Sequence, residues 1–153
     1  MALAAGDKAP KFSIATESGT VSSAGLKGAP YVLYFYPKDD TSGCTKEAIA
    51  FSKALPKFRK LGIEVIGVSK DSIESHAKFR KKHALKIALG SDPDIAMATD
   101  WGVWVQKSLY GRKYMGMERA TFLVDAKGII KAAWHKVKVP GHAEAGLEAA
   151  KAP

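Results

Sequence analysis

The sequence predicts a single α/β domain with a mixed central sheet and helices on both of its faces. The chain has 153 residues, which is the size of one domain with a substantial core. Its composition is 46% hydrophobic and 25% charged, without repeats or low-complexity segments, which excludes disordered, coiled-coil and collagen-like classes. Two apolar segments, residues 31–36 and 63–68, flank a helical pattern, as in a βαβ unit. We therefore expect residues 1–153 to form one domain.

The two apolar segments are typical of strands buried on both faces. Residues 31–36 read Tyr-Val-Leu-Tyr-Phe-Tyr, and residues 63–68 read Ile-Glu-Val-Ile-Gly-Val. Between them, apolar residues recur at spacings of three and four, which predicts a helix whose apolar stripe lies on the sheet. These residues are Ala48, Phe51, Leu55, Phe58 and Leu61. Pro56 is expected to kink this helix.

Two further helices are predicted downstream of the second strand. Asp71 and Glu74 bracket the start of a Lys-rich helix that runs to about His83. Asp92, followed by proline, opens another helix that ends near Trp101. Helices and strands therefore alternate along this part of the chain.

The C-terminal part predicts an antiparallel hairpin and a last helix. Residues 119–124 and 129–134 are apolar and flank the turn residues 125–128. A short helix follows Gly141. Parallel βαβ units followed by a hairpin and a helix match a thioredoxin-like fold.

The charge pattern favours a role in solubility and weak electrostatic steering over the binding of a polyanion. Lys plus Arg number 24 against 15 Asp plus Glu, a net charge of +9 that is spread from Lys8 to Lys151. No apolar run approaches the roughly 20 residues of a membrane-spanning helix. The first residues do not resemble a secretory signal. We expect a cytoplasmic protein with no membrane partner and no specific nucleic-acid partner.

The single cysteine, Cys44, is either a structural side chain or a reactive centre, because it has no second cysteine to pair with. It falls just before the helical stripe that begins at Ala48, so it should occupy the first turn, where free N–H groups and the helix dipole favour an anion. Full ionisation raises the rate at which a thiol attacks an electrophile at neutral pH by at most about thirtyfold. Rapid attack on an O–O bond also needs donors aimed at the oxygens, and Thr41 and an arginine are suitable types.

The residues around Cys44 resemble the active site of the peroxiredoxin family. Pro37, Thr41 and Cys44 meet the spacing Pro-x-x-x-Thr-x-x-Cys, and the flanking Tyr-Phe-Tyr-Pro and Cys-Thr-x-Glu-Ala are similar to the bacterioferritin comigratory protein (PrxQ) branch. Further motifs of that branch follow in its order: Gly6-Asp-Lys-Ala-Pro10, Ile66-Gly-Val-Ser69, Ser91-Asp92, Gly102-Val-Trp104 and Arg119-Ala-Thr-Phe-Leu-Val-Asp125. The resemblance covers nearly the whole chain.

The resemblance implies a thiol peroxidase that reduces hydrogen peroxide and organic hydroperoxides. Cys44 would attack a peroxide oxygen and become a sulfenic acid. Thr41 would hydrogen-bond the thiolate and the peroxide, and the guanidinium of Arg119 would hold both. No cofactor and no metal is implied.

Three supporting roles are also implied by the resemblance. Pro37 would shield the thiol, and backbone N–H groups near Gly43 would contact a substrate oxygen. Glu47 would orient Arg119.

The sequence departs from the branch in two places. Ser42 stands where the branch usually has proline, on the expected rim of the pocket. A second cysteine, found in some members five residues after the first or in a later helix, is absent at Ile49 and within residues 73–83. The sulfenic acid must therefore be resolved by an external thiol such as thioredoxin, glutathione or another thiol, with the protein a monomer or a homodimer.

Other interpretations of the same residues stay open at this point. A lone cysteine is often a small buried side chain, and Arg119 could form a surface ion pair with Glu118 or Asp125. The chain could also be a basic module that binds nucleic acid or an acidic partner through residues 78–82. A thiol-disulfide oxidoreductase is disfavoured because position 41 is Thr rather than Cys.

Two other groups of residues are expected to be structural. The aromatic and methionine residues before Arg119 are assigned to the core or to the pocket lining. These are Tyr110, Tyr114, Met115 and Met117. The four histidines are assigned to solvated or packing positions, since two on one helix face without a third ligand do not make a metal site.

Overall fold

The structure is a computed structural model that describes residues 3–152. The strands are β1 Ser13–Thr16, β2 Gly19–Ser22, β3 Tyr31–Phe35, β4 Glu64–Ser69, β5 Ala88–Ser91, β6 Trp104–Leu109, β7 Arg112–Met117, β8 Ala120–Val124 and β9 Ile130–Trp134. The helices are α1 Ser42–Lys60, α2 Ile73–His83, α3 Ala96–Asp100 and α4 His142–Lys151.

Seven of the strands form one mixed sheet in the order β2-β1-β5-β4-β3-β8-β9. The strands β3, β4 and β5 are parallel and are joined by α1 and α2 as crossovers. The strand β8 pairs antiparallel with β3, and β9 pairs antiparallel with β8. This arrangement confirms the predicted βαβ unit, the predicted C-terminal hairpin and the thioredoxin-like fold class.

The central strand β3 is buried throughout because helices cover both faces of the sheet. Alternate side chains of a strand point to opposite faces. One set packs with residues of α1, α2 and α4: Val32, Tyr34 and, just past the strand, Tyr36. The other set packs with α3 and the segment around Trp101: Tyr31, Leu33 and Phe35. The predicted double covering of the sheet is therefore confirmed.

Several elements were not predicted. The strands β1, β2 and β5 have only four residues each, and the two-stranded ribbon β6–β7 is largely exposed, so none of them gives a strong apolar pattern. The helix expected between Asp92 and Trp101 is only the short α3. Pro56 lies inside α1 without ending it.

The expectation that the cluster before Arg119 lies in the core or lines a pocket is wrong for most of its members. Tyr110 is almost fully exposed, and Tyr114 and Met115 are about half exposed. Tyr110 lies in the turn between β6 and β7, and the other two lie on β7. The strands β6 and β7 pair only with each other within the described residues. Met117, at the end of β7, is buried as expected.

The basic helix α2 presents fewer free cations than its sequence suggests. Arg80 pairs with Glu17, and Lys82 pairs with Asp40. These contacts reduce the positive charge that residues 78–82 could offer to an anionic partner. Among residues 3–152, no helix has the length and apolar character needed to span a membrane.

Candidate active site

Cys44 is the third residue of α1 and is 1% exposed. Thr41 precedes the helix in an extended conformation, and its carbonyl oxygen accepts from the N–H of Thr45 at 2.8 Å. The N–H groups of Gly43 and Cys44 therefore have no carbonyl partner within the helix. The first turn of α1 places these donors and the positive end of the helix dipole around the sulfur, as expected from the sequence.

Arg119 spans the space between the thiol and a buried carboxylate. It comes directly before β8, which pairs with β3 and so returns the chain to the start of α1. Its Nη2 donates to Cys44 Sγ at 3.2 Å, and its Nη1 donates to Glu47 Oε1 at 2.7 Å. The side chain is 17% exposed, so solvent screens these contacts only partly.

The alternative ion pairs of Arg119 are not formed. Glu118 pairs with His135 at 2.7 Å. Asp125 accepts from backbone N–H groups of its own turn. Arg119 is therefore directed at the thiol rather than at the surface.

Opposing effects set the charges in this cluster. Burial raises the pKa of Glu47 to about 7, although the nearby Arg119 favours the ionised form. For Arg119, burial disfavours the charge, but Glu47 and the cysteine outweigh it and raise its pKa. Glu47 Oε2 accepts no hydrogen bond from any group in residues 3–152. The guanidinium thus stays charged, while the carboxyl group of Glu47 is only partly ionised near neutral pH.

The remaining predicted residues lie between the end of β3 and the first turn of α1. A Cβ on Gly43 would lie 3.3 Å from Arg119 Nη2, so the guanidinium sits directly over the helix start. Pro37 is half-buried just beyond β3, and Ser42 is the exposed first residue of α1. The hydroxyl of Thr41 donates to the carbonyl oxygen of Lys38 at 2.9 Å. Its contact with the thiol stays a prediction.

Comparison with known proteins decides the family. Residues 5–133 match the model of the AhpC/TSA family. The chain belongs to the AhpC/TSA family. A putative peroxiredoxin bcp of Coxiella burnetii is 48% identical over 93% of this chain and 95% of its own. Peroxiredoxin Bcp of Bacillus subtilis is 43% identical over 99% of this chain and 97% of its own.

Solved structures of similar proteins share the fold. Peroxiredoxin Q of Xanthomonas campestris is 41% identical, with a TM-score of 0.87 over 92% of this chain and 89% of its own. The bacterioferritin comigratory protein of the same organism was studied for its alkyl peroxide reduction activity. It is 40% identical, with a TM-score of 0.87 over 92% of this chain and 90% of its own. The resemblance to the PrxQ branch is thereby confirmed.

The charge of Arg119 helps to lower the pKa values of two residues that the sequence did not single out. They are His142 and Lys107. Burial, and then Arg119, lowers the pKa of His142 to about 4, and His142 Nε2 lies 2.7 Å from the Thr121 hydroxyl. Burial, and then Arg119, also lowers the pKa of Lys107 on β6. Neither residue lies in a motif around Cys44, because the two are far from it in the sequence.

The buried carboxyl group of Glu47 predicts that the stability of this protein depends on pH. Its pKa rises from 4.5 to about 7 on folding. The folded chain therefore holds a proton that the unfolded chain has lost, and the free energy of unfolding falls as the pH rises through that window. Between about pH 5 and about pH 8 this fall amounts to roughly 2 to 3 kcal/mol.

A Glu47→Gln variant should lack this component of the pH dependence. Urea unfolding of both proteins at the two pH values measures it, and other titrating groups cancel in the difference. The wild-type protein is expected to lose roughly 2 to 3 kcal/mol more than the variant. Equal losses would show that Glu47 keeps an ordinary pKa.

Proposed function

We propose that this protein is a thiol peroxidase that reduces hydrogen peroxide and organic hydroperoxides through Cys44. One observation carries the proposal: the guanidinium of Arg119, anchored by the buried Glu47, donates to the sulfur of Cys44 at a helix start. A charged donor beside a thiol can bind a peroxide oxygen and stabilise charge as the O–O bond breaks. Named peroxiredoxins among the relatives support the same activity.

The first half-reaction oxidises the sulfur. The thiolate of Cys44 attacks one peroxide oxygen, the S–O bond forms and the O–O bond breaks. The sulfur becomes a sulfenic acid, and the leaving alkoxide or hydroxide takes a proton from solvent to give an alcohol or water. Arg119 and the N–H groups of Gly43 and Cys44 would stabilise the negative charge, with Thr41 as a further donor and Pro37 as a shield.

The second half-reaction needs a thiol from outside the chain. With one cysteine in the sequence, no internal disulfide can form. An external thiol condenses with the sulfenic acid to give a mixed disulfide and water, and a second thiol releases Cys44. Thioredoxin, glutathione or a similar thiol fits this role, in a reducing compartment such as the cytoplasm. A second copy of the chain, in a homodimer, is another possible thiol source.

Intact mass spectrometry tests the whole sequence of steps. After one equivalent of hydrogen peroxide the protein should gain the mass of one oxygen atom. Addition of glutathione should replace that adduct with a glutathionyl adduct, and excess thiol should restore the starting mass. A protein whose mass does not change with peroxide would contradict the proposal.

A further inference from the structure

The segment between β3 and α1, residues 37–41, is anchored at its centre by the side chain of Asp39. Asp39 is buried, although it lies in a loop. Its Oδ1 accepts from the Tyr36 hydroxyl at 2.6 Å. Its Oδ2 accepts from the Ser75 hydroxyl at 2.8 Å and lies 2.7 Å from His76 Nδ1. Both Ser75 and His76 belong to α2.

His76 is fully buried and faces two acceptors. Besides the Asp39 carboxylate, its Nε2 lies 2.9 Å from the carbonyl oxygen of Gly90 on β5. The ring therefore links the loop residue Asp39 to the strand β5. Burial alone would raise the pKa of Asp39, but hydrogen bonds from His76, Tyr36 and Ser75 outweigh it and lower that pKa. The two residues form a buried hydrogen-bonded pair.

The backbone of the segment is anchored as well. The N–H of Asp39 donates to Asp71 Oδ2 at 2.8 Å, and the same oxygen accepts from the Ser69 hydroxyl at 2.7 Å. The neighbouring Asp40 makes a contrasting set of contacts. Its carboxylate is exposed and pairs with Lys82 and His83. Of these two carboxylates, only that of Asp39 is buried. Solvent and salt screen the interactions of a buried charge far less than those of an exposed one.

This anchor lies two residues before the N-cap of the helix that carries the thiol. Thr41 is the N-cap of α1, and Cys44 follows in its first turn. Because only Asp40 separates Asp39 from the N-cap, a displacement of Asp39 would also displace the first turn of α1, which carries the sulfur. A misplacement of about 1 Å can slow a reaction roughly 100-fold.

We propose that Asp39 and His76 are a positioning pair for the peroxide step. They hold residues 37–41, and through them the first turn of α1, in the geometry in which Cys44 and Arg119 act together. The reactivity of Cys44 then depends on α2, a helix that contributes no side chain to the Arg119–Cys44–Glu47 cluster. This inference rests on the proposed peroxidase function.

The test compares two reactions of the same thiol in Asp39→Asn, His76→Gln and the matched control Asp40→Asn. Asp40→Asn removes a carboxylate from the adjacent residue, which contacts the same helix. The rate constant for hydrogen peroxide, from stopped-flow measurements, depends on aligned donors. The rate constant for alkylation by iodoacetamide depends on the thiolate fraction and on access to the sulfur, but it needs no donors for a breaking O–O bond.

In Asp39→Asn and His76→Gln, the peroxide rate constant is expected to fall about 10- to 100-fold, while alkylation is unchanged or faster. Asp40→Asn should stay within about threefold of the wild type for both reactions. Circular dichroism verifies that each variant is folded. If Asp39→Asn does not fold, the rate constants of His76→Gln alone decide the test. Peroxide rates within threefold of the wild type in a folded variant, or equal losses in both reactions, would overturn the positioning role. A wild-type protein that does not react with peroxide would instead contradict the proposed function.

Discussion

A Cys44→Ser variant is expected to consume no hydrogen peroxide above the background rate. Serine matches cysteine closely in size, and its hydroxyl can accept the same hydrogen bond from Arg119. Its hydroxyl is not ionised at neutral pH, however, and oxygen cannot be oxidised as sulfur is. The measurement is peroxide disappearance with glutathione in excess.

The matched control for this variant is Ser42→Ala. Ser42 lies in the same helical turn and is exposed, so its replacement should leave peroxide consumption within about twofold of the wild type. Activity in Cys44→Ser close to that of the parent would show that the reaction takes place elsewhere in the molecule.

Replacement of Arg119 by alanine is expected to lower the peroxide rate constant by about 10²- to 10³-fold. The guanidinium is the charged donor aimed at the sulfur, at 3.2 Å, and removal of one such donor has effects of this size in other enzymes. The loss also leaves Glu47 without its partner. Cys44 should still react with iodoacetamide, because the sulfur remains in place. Stopped-flow mixing with peroxide measures the effect.

Arg119→Lys and Arg112→Ala separate geometry from charge. Lysine keeps the positive charge but cannot contact Glu47 and Cys44 at once through a planar fork, so we expect a loss of at least about tenfold. Arg112 is exposed on β7, and its replacement changes the net charge equally without touching the site. If Arg112→Ala slowed the reaction as much as Arg119→Ala, general electrostatic attraction would explain the effect instead.

The parts of the fold that could be predicted are those with strong local patterns. The strand β3 is apolar throughout because both of its faces are covered, and α1 shows its stripe because it lies on the sheet. The placement of Cys44 in the first turn follows from these two elements. The ribbon β6–β7 could not be predicted, since its strands are mostly exposed and carry no alternation.

The contacts of the site were only partly accessible from sequence. Arg119 lies 75 residues from Cys44, so only the resemblance to a known motif brought them together. Asp39 and His76 are 37 residues apart. Asp39 stands at an unspecified position of the pattern from Pro37 to Cys44, so that pattern does not point to the pair. Such contacts depend on how β3, β4 and β5 pair, and a strand register is set by the whole sheet.

The central claim is that folding supplies donors for a breaking O–O bond at the sulfur of Cys44. The most direct test is the ratio of two rate constants of the wild-type chain with hydrogen peroxide, one in the native state and one unfolded in concentrated urea. Ionisation alone accounts for at most about thirtyfold. With aligned donors, we predict that the native protein reacts at least about a thousandfold faster. A ratio of thirty or less would contradict the account.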